Sequence, residues 1–330
     1  MFDLSMDKLA KEINELKPKR VLLQLPEGIK HKIQGMADDL KEKTQAEYII
    51  LVDPNWGSCD LADEKALALG CDLLIHFGHN KMYEGKIKTI YYPIPVIFDS
   101  KPVIKKLINL LKKEKISEIG LVGTSQFLPY FDEIKKSLKE NKIEVLIGKG
   151  TARVNEMAQV LGCNYSAVHS ISDKAEAIVF FGDGIFHPIG IAFSSTKRIF
   201  SVNPLTEEIN ELTKEKELFL KKRFAAIALA MKAQKFGVIT SIKKGQNFAG
   251  RIRQVKELIE SKNRKAYILA SDFVYADYYK GLDIDCFVNA ACPRISLEDS
   301  STFDKPIINP NELEIALGKR KFEDYKFDEY

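Results

Sequence analysis

The chain repeats itself at intervals of about a hundred residues, and that period limits what it can fold into. KRVLLQLPEGIKHKIQGMADDLKEK opens one unit, SEIGLVGTSQFLPYFDEIKKSLKENK a second and KFGVITSIKKGQNFAGRIRQVKELIESK a third. Each reads as a strand, a polar loop and an amphipathic helix. A second strand follows in each unit (EYIILVD, IEVLIGKG, KAYILASD), and a further helical stretch leads to a third (CDLLIHFGH, EAIVFFGDG, DCFVNAACP). Most of these strands are continuous runs of Val, Ile, Leu and Phe, the pattern of strands covered on both faces in a parallel sheet. The expectation is an α/β chain of three similar βαβ-type domains, at residues 1–100, 101–204 and 205–330, the last carrying the charged tail KRKFEDYKFDEY.

The repeat gives the cysteines a meaning that they lack singly. Cys59 lies 19 residues before Gly78, at the end of the third strand of the first unit, and Cys163 lies 19 residues before Gly182, at the same place in the second. The same count from Ala291 in the third unit reaches Asp272, but Cys292 follows Ala291 directly at the strand end. Each unit thus offers one cysteine near the carboxyl end of a strand, where open α/β sheets bind ligands. Cys71 and Cys286 fall within or just before apolar strands and read as small core residues. Three thiolates suit a [4Fe–4S] cluster with one iron left open, or a catalytic zinc with an open position. His76 and His79 stand close enough in sequence to Cys59 to join a zinc site, although a histidine inside a strand is more often packed and hydrogen-bonded.

Other chemistries find no motif. CxxC is absent, which removes the zinc ribbon and the thioredoxin-type site. GxxxxGK[ST], GxGxxG after a strand, GxSxG and CxxxCxxC are absent too. Fifty basic residues against 46 acidic ones give a net charge of +4, too little to argue for nucleic acid, and the Lys and Glu are interleaved as on solvated helix faces. The longest apolar run, Phe224 to Met231, is cut by Lys232, far short of the roughly 18 residues of a membrane helix. MFDLSMDKLAKEINELKPKR reads as an amphipathic helix without an apolar signal core, so a cytoplasmic location is expected.

Four loops that follow strands are candidate site material: LPEG (25–28), FGDGIFHPIG (181–190), KKGQ (243–246) and ACPRI (291–295). Glycine lets backbone approach a ligand closely and proline fixes the loop. Asp183 and His187 are suited to hydrogen bonding or proton transfer, and Arg294 to anchoring a carboxylate.

The segments RVLLQLPEGI, WGSCDLAD, GCDLLIHFGH, LGCNYSA, DGIFHP, the GQ of KKGQ, FVNAACPRIS and KPIINPNELEIAL run in order from about residue 20 to residue 317. Together they resemble the diphthamide-synthesis family in its archaeal, single-gene form. The resemblance implies three α/β domains in pseudo-threefold arrangement around a central cleft, with Cys59, Cys163 and Cys292 as the three ligands of a [4Fe–4S] cluster. It further implies a non-canonical radical enzyme acting on S-adenosylmethionine. Cleavage between sulfur and the methionine γ-carbon would give an aminocarboxypropyl radical, with methylthioadenosine as by-product. The radical would add to C2 of a specific histidine of translation elongation factor 2, the first step of diphthamide formation, in a homodimer whose electron donor the sequence does not name. Within that reading Gln246 and Arg294 are placed by geometry near the amino acid end of S-adenosylmethionine, with Asp183, Gly184 and His187 close by. No membrane and no nucleic acid enter as partners. The runner-up is an enzyme similar to quinolinate synthase, which also joins three domains around a three-cysteine cluster. A three-lobed small-ligand binding protein without iron is the non-enzymatic alternative.

Overall fold

The structure, a computed structural model, describes residues 4–151 and 153–330. It contains three separate sheets. The first uses β1 (Arg20–Gln24), β2 (Glu47–Ile50), β3 (Leu73–Phe77) and β4 (Lys88–Tyr92), in the order β2-β1-β3-β4. The second uses β5 (Glu118–Gly123), β6 (Glu144–Ile147), β7 (Ala177–Phe181), β8 (Arg198–Asn203) and β9 (Glu208–Glu211), in the order β6-β5-β7-β8-β9. The third uses β10 (Lys235–Ser241), β11 (Lys265–Ser271), β12 (Cys286–Asn289) and β13 (Ile307–Ile308), in the order β11-β10-β12-β13. Among the strands of the described residues only β9 runs antiparallel, against β8; the other strand pairings are parallel. The chain is therefore the α/β protein of mostly parallel sheets that the apolar runs indicate.

The three sheets share one strand order, with the first strand of each unit in the centre and its successors laid to either side. The chain reverses direction of travel between the first and third strands, and loops at that reversal open at the carboxyl ends of the strands. β3, β7 and β12 are buried along their whole length, which is why they read as unbroken apolar runs. β11 is different: KAYILAS is largely apolar too, yet it lies at a sheet edge, and the adjacent Tyr267 and Ile268 are both about half exposed.

Each unit also has a fourth parallel strand that a three-strand repeat does not contain. β4 and β8 pair with β3 and β7, and β13 with β12. Ile307–Ile308 is too short to show a period, and β4 is half-buried with mixed polarity. A helix precedes each sheet, at Asp7–Leu16, Lys101–Lys113 and Thr213–Ala230. β9 extends the second sheet to Glu211, beyond residue 204. The charged tail returns to the body: Phe327 joins the apolar core beneath the second sheet, and Asp328 is buried in an ion pair with Arg251.

Candidate metal centre

The loop bearing Cys59 follows β2 and is pinned from β1. Gln24, at the carboxyl end of β1, is buried. It donates to the Asp60 carbonyl at 2.6 Å and accepts from the Ala62 amide at 3.1 Å. His76, on β3, shares the same Gln24 oxygen at 2.8 Å through Nδ1. Burial, reinforced by neighbouring His79, pushes the His76 pKa well down, and burial takes His79 to about 4. Both are neutral packed rings, 5.2 Å apart between centroids, on the scaffold side of the loop.

Cys163 stands in a loop after β6 that closes on itself. The amides of Leu161 and Asn164 each donate to the other's carbonyl at 3.1 Å. The Tyr165 hydroxyl donates to the Gly162 carbonyl at 3.0 Å. The tail completes this loop, because the Tyr330 amide donates to the Cys163 carbonyl at 2.7 Å. Cys292 lies three residues beyond the end of β12 and stands at the N-cap of the short helix Pro293–Leu297. Its carbonyl accepts from fully buried Asn289 at 2.7 Å, and Asn289 also reaches Ser296 and Asn309 at 3.0 Å each.

These three loops, from three sheets, meet. Cys59 and Cys163 feel each other electrostatically, and Cys292 feels both. Burial raises all three thiol pKa values, that of Cys163 to about 11. Without an electrophilic partner the thiols are thus held protonated, and a bound metal would have to displace those protons. All three are partly exposed, whereas Cys71 and Cys286 are buried in the apolar cores. Among the described residues no three His, Cys, Asp or Glu side chains gather tightly enough to hold a single metal ion. A mononuclear zinc needs sulfurs within about 2.3 Å of one centre. Three cysteines without a fourth ligand are a donor set that suits an iron–sulfur cluster with one iron left open.

Cys59 and Cys292 line a cavity of about 370 Å³. Its walls carry Trp56, Phe273 and Tyr275, and its polar groups include Lys243, Gln246, Asp272 and Arg294. Gln246 donates through Nε2 to the Cys59 sulfur at 3.2 Å, so this residue touches that sulfur directly. Lys243 makes a buried ion pair with Asp60 at 2.6 Å and lies 3.6 Å from the centre of the Phe273 ring. Asp272, the repeat counterpart of Cys59 and Cys163, faces the same cavity and pairs with Lys65 of the first unit at 3.5 Å. Arg294 lines the cavity beside Cys292, is paired with Glu298, and lies 5.7 Å over the Phe186 ring.

Asp183, Gly184 and His187 lie one layer away and do not line the cavity. Asp183 and Gly184 are exposed, and Gly184 takes a φ of +71° in open space. His187 stacks on Phe180 at 6.0 Å, and burial, followed by the charge of Arg294, lowers its pKa to about 4.

Two features of the site have no signal in the sequence. One is Arg153, from the second unit. It donates to the Gly245 carbonyl at 2.9 Å, lies 5.2 Å over the Phe248 ring and acts electrostatically on Cys163 and Cys59. The other is how closely the KKGQ loop approaches Cys59. A Cβ on Gly245 would stand 2.4 Å from the Cys59 carbonyl oxygen and 2.5 Å from its Cα. Gly245→Ala should therefore displace one of the two loops and cut iron uptake severely, with the melting transition little changed. Iron analysis beside circular dichroism checks this, and full iron loading would contradict it.

The comparisons with known proteins agree with this geometry. The diphthamide synthesis protein family model matches residues 25–326. The chain is 36% identical to the 2-(3-amino-3-carboxypropyl)histidine synthase of Pyrococcus horikoshii, over 100% of this chain and 94% of that protein. It is 30% identical to the synthase of the same name from Methanocaldococcus jannaschii, covering 100% of this chain and 93% of the other. The crystal structure of Dph2 from Pyrococcus horikoshii with a 4Fe–4S cluster superposes with a TM-score of 0.92 at 35% identity, covering 100% of this chain and 94% of that one.

Proposed function

The chain belongs to the diphthamide synthesis protein family, and from that premise we propose that it carries out the first step of diphthamide biosynthesis. It transfers the 3-amino-3-carboxypropyl group of S-adenosylmethionine to C2 of one histidine of translation elongation factor 2. Cys59, Cys163 and Cys292 hold a [4Fe–4S] cluster. The observation that carries the reading is the convergence of one cysteine from each of three sheets, two of them lining one cavity, with an amide hydrogen on the Cys59 sulfur.

When bound, the cluster supplies a strongly reducing electron and, with three protein ligands, leaves one iron open to the co-substrate. The chain's own residues do the rest. Gln246 fixes the Cys59 sulfur. The buried Lys243–Asp60 pair and the Phe273 ring beneath the ammonium close one wall and exclude water from it. Trp56, Phe273 and Tyr275 offer aromatic faces of the kind an adenine packs against. The cavity walls would decide, by orienting the co-substrate, which of its three carbon–sulfur bonds is broken.

In this reading Arg294 holds the methionine carboxylate; what supports it is that Arg294 lines the cavity just after Cys292 and Pro293. Its own pairing with Glu298 is half-exposed and worth little, so exchange for a ligand carboxylate is inexpensive. Arg294→Ala should weaken S-adenosylmethionine binding about tenfold or more, the loss of roughly 1.5–3 kcal/mol from a charged hydrogen bond, while iron content stays full. Unchanged affinity by calorimetry would reassign the residue.

The acceptor is tested directly. Reduced, iron-loaded protein incubated with S-adenosylmethionine and elongation factor 2 should leave a single aminocarboxypropyl adduct on one histidine, read by mass spectrometry of the digested factor. An unmodified factor would refute the assignment. We place the reaction in the cytoplasm, in a homodimer; no described helix is long and apolar enough to cross a membrane.

A further inference from the structure

We infer that Arg153 is the counter-charge of the iron–sulfur cluster, a fixed cation that holds the thiolate-ligated assembly and raises its reduction potential. The inference rests on the cluster assignment made above. It starts from an imbalance of charge. Each of the other cations at the site has an anionic partner: Lys243 is paired with Asp60, Lys65 with Asp53 and Asp272, and Arg294 with Glu298. Among the described residues Arg153 has no such partner. Its contacts are the Gly245 carbonyl at 2.9 Å, the Met82 sulfur at 3.3 Å, the Phe248 ring and the cysteine thiols. Its Nε is buried and has no hydrogen-bond acceptor.

A partly buried guanidinium with its Nε sealed from water and no anion beside it is costly, and it persists where an anion is bound in the working state. Three thiolates would provide that anion beside it. The guanidinium acts electrostatically on two of them, Cys163 and Cys59, and the Gly245 carbonyl it grips belongs to the residue packed against the Cys59 backbone. Each electron added to the cluster makes the assembly one unit more negative, so a neighbouring positive charge stabilises the reduced form over the oxidised one. Net charge and hydrogen bonds at the sulfurs are among the levers that set such potentials. Arg153 comes from the second unit, grips the Gly245 carbonyl of the third and faces Cys59 of the first. A single side chain thus ties the charge of the site to its assembly from three lobes.

The test uses the full chain, loaded anaerobically with iron and sulfide, as wild type, Arg153→Gln and Arg153→Lys. Iron content, the electron paramagnetic resonance spectrum and a spectroscopic redox titration are recorded without S-adenosylmethionine. At the potential where the wild type is half reduced, Arg153→Gln should show a reduced-to-oxidised ratio about tenfold lower, a shift of 59 mV for one electron. Arg153→Lys, which keeps the charge, should recover most of it. If Arg153→Gln fails to hold the cluster, retention in Arg153→Lys supports the charge role and loss in both variants overturns it. An unchanged potential in iron-loaded Arg153→Gln also overturns it, as does an equal shift in the two variants, which would mark packing alone. Wild-type protein that takes up no iron would instead remove the cluster assignment itself.

Discussion

Cys163→Ala should leave the protein folded and unable to hold iron. The loop around Cys163 keeps its mutual Leu161–Asn164 hydrogen bonds and the Tyr330 contact, none of which uses the sulfur. The side chain is partly exposed rather than core filler, so truncation opens no large apolar cavity. What is lost is one of three ligands, and a group held by three cannot be held well by two. Iron after anaerobic reconstitution should fall to background, with the brown colour and with S-adenosylmethionine cleavage. Cys59→Ala and Cys292→Ala should behave alike. Cys71→Ala and Cys286→Ala should keep full iron, because those sulfurs pack among the apolar cores of the first and third sheets. Full iron in Cys163→Ala, or its loss in Cys71→Ala, would contradict the ligand set.

The largest loss of stability is expected from Arg223→Met. Arg223, on the helix that precedes the third sheet, is buried and grips Glu312 with two bonds, Nε to Oε1 at 2.8 Å and Nη2 to Oε2 at 2.5 Å. It also donates to the Ser296 carbonyl at 2.5 Å and the Ile307 carbonyl at 2.9 Å. Glu312 in turn caps the helix Pro310–Ala316, accepting the Asn309 amide at 2.7 Å. Removing the arginine strands a buried carboxylate. The cost expected is about 3–5 kcal/mol, out of a typical total of roughly 5–15. Replacing both partners, Arg223→Met with Glu312→Leu, should restore much of it, since an apolar pair needs no compensation. Denaturant titration of both variants decides the matter. A single-variant loss below about 1 kcal/mol would show that the pair is not the clamp that its geometry indicates. Because Ser296 sits in the turn after Cys292, the single variant should also load iron less well.

The parts of the site that were legible in the sequence share one property: they recur. The equal spacing of Cys59 and Cys163 from a strand-end glycine separates them from Cys71 and Cys286 without any coordinates. The central strands are legible for the same reason that they are buried, since two covered faces demand an unbroken apolar run. What stayed hidden lies between units. Arg153 meets Gly245 across 92 residues, Gln246 meets Cys59 across 187, and no local period records either contact. Lys243 and Asp60 look like ordinary loop charges until the first and third lobes bring them together. Tyr330 ends a stretch that reads as a solvated charged tail, yet its ring stacks on Phe248 at 4.2 Å and its amide holds the Cys163 loop. Ile307–Ile308 is a strand because β12 lies beside it, not because two residues have a propensity to be one.

We propose that a cluster held by Cys59, Cys163 and Cys292 would break the γ-carbon–sulfur bond of S-adenosylmethionine, not its 5′ bond. A cluster ligated from separate lobes has no compact CxxxCxxC loop beside it, and a barrier difference of about 1.4 kcal/mol already gives tenfold selectivity between the two bonds. The direct measurement is chromatographic separation of the nucleosides formed when iron-loaded, dithionite-reduced protein meets S-adenosylmethionine. Methylthioadenosine as the main product, absent from Cys163→Ala, is the predicted result. 5′-Deoxyadenosine as the main product would contradict the account, even with the fold and the cluster intact.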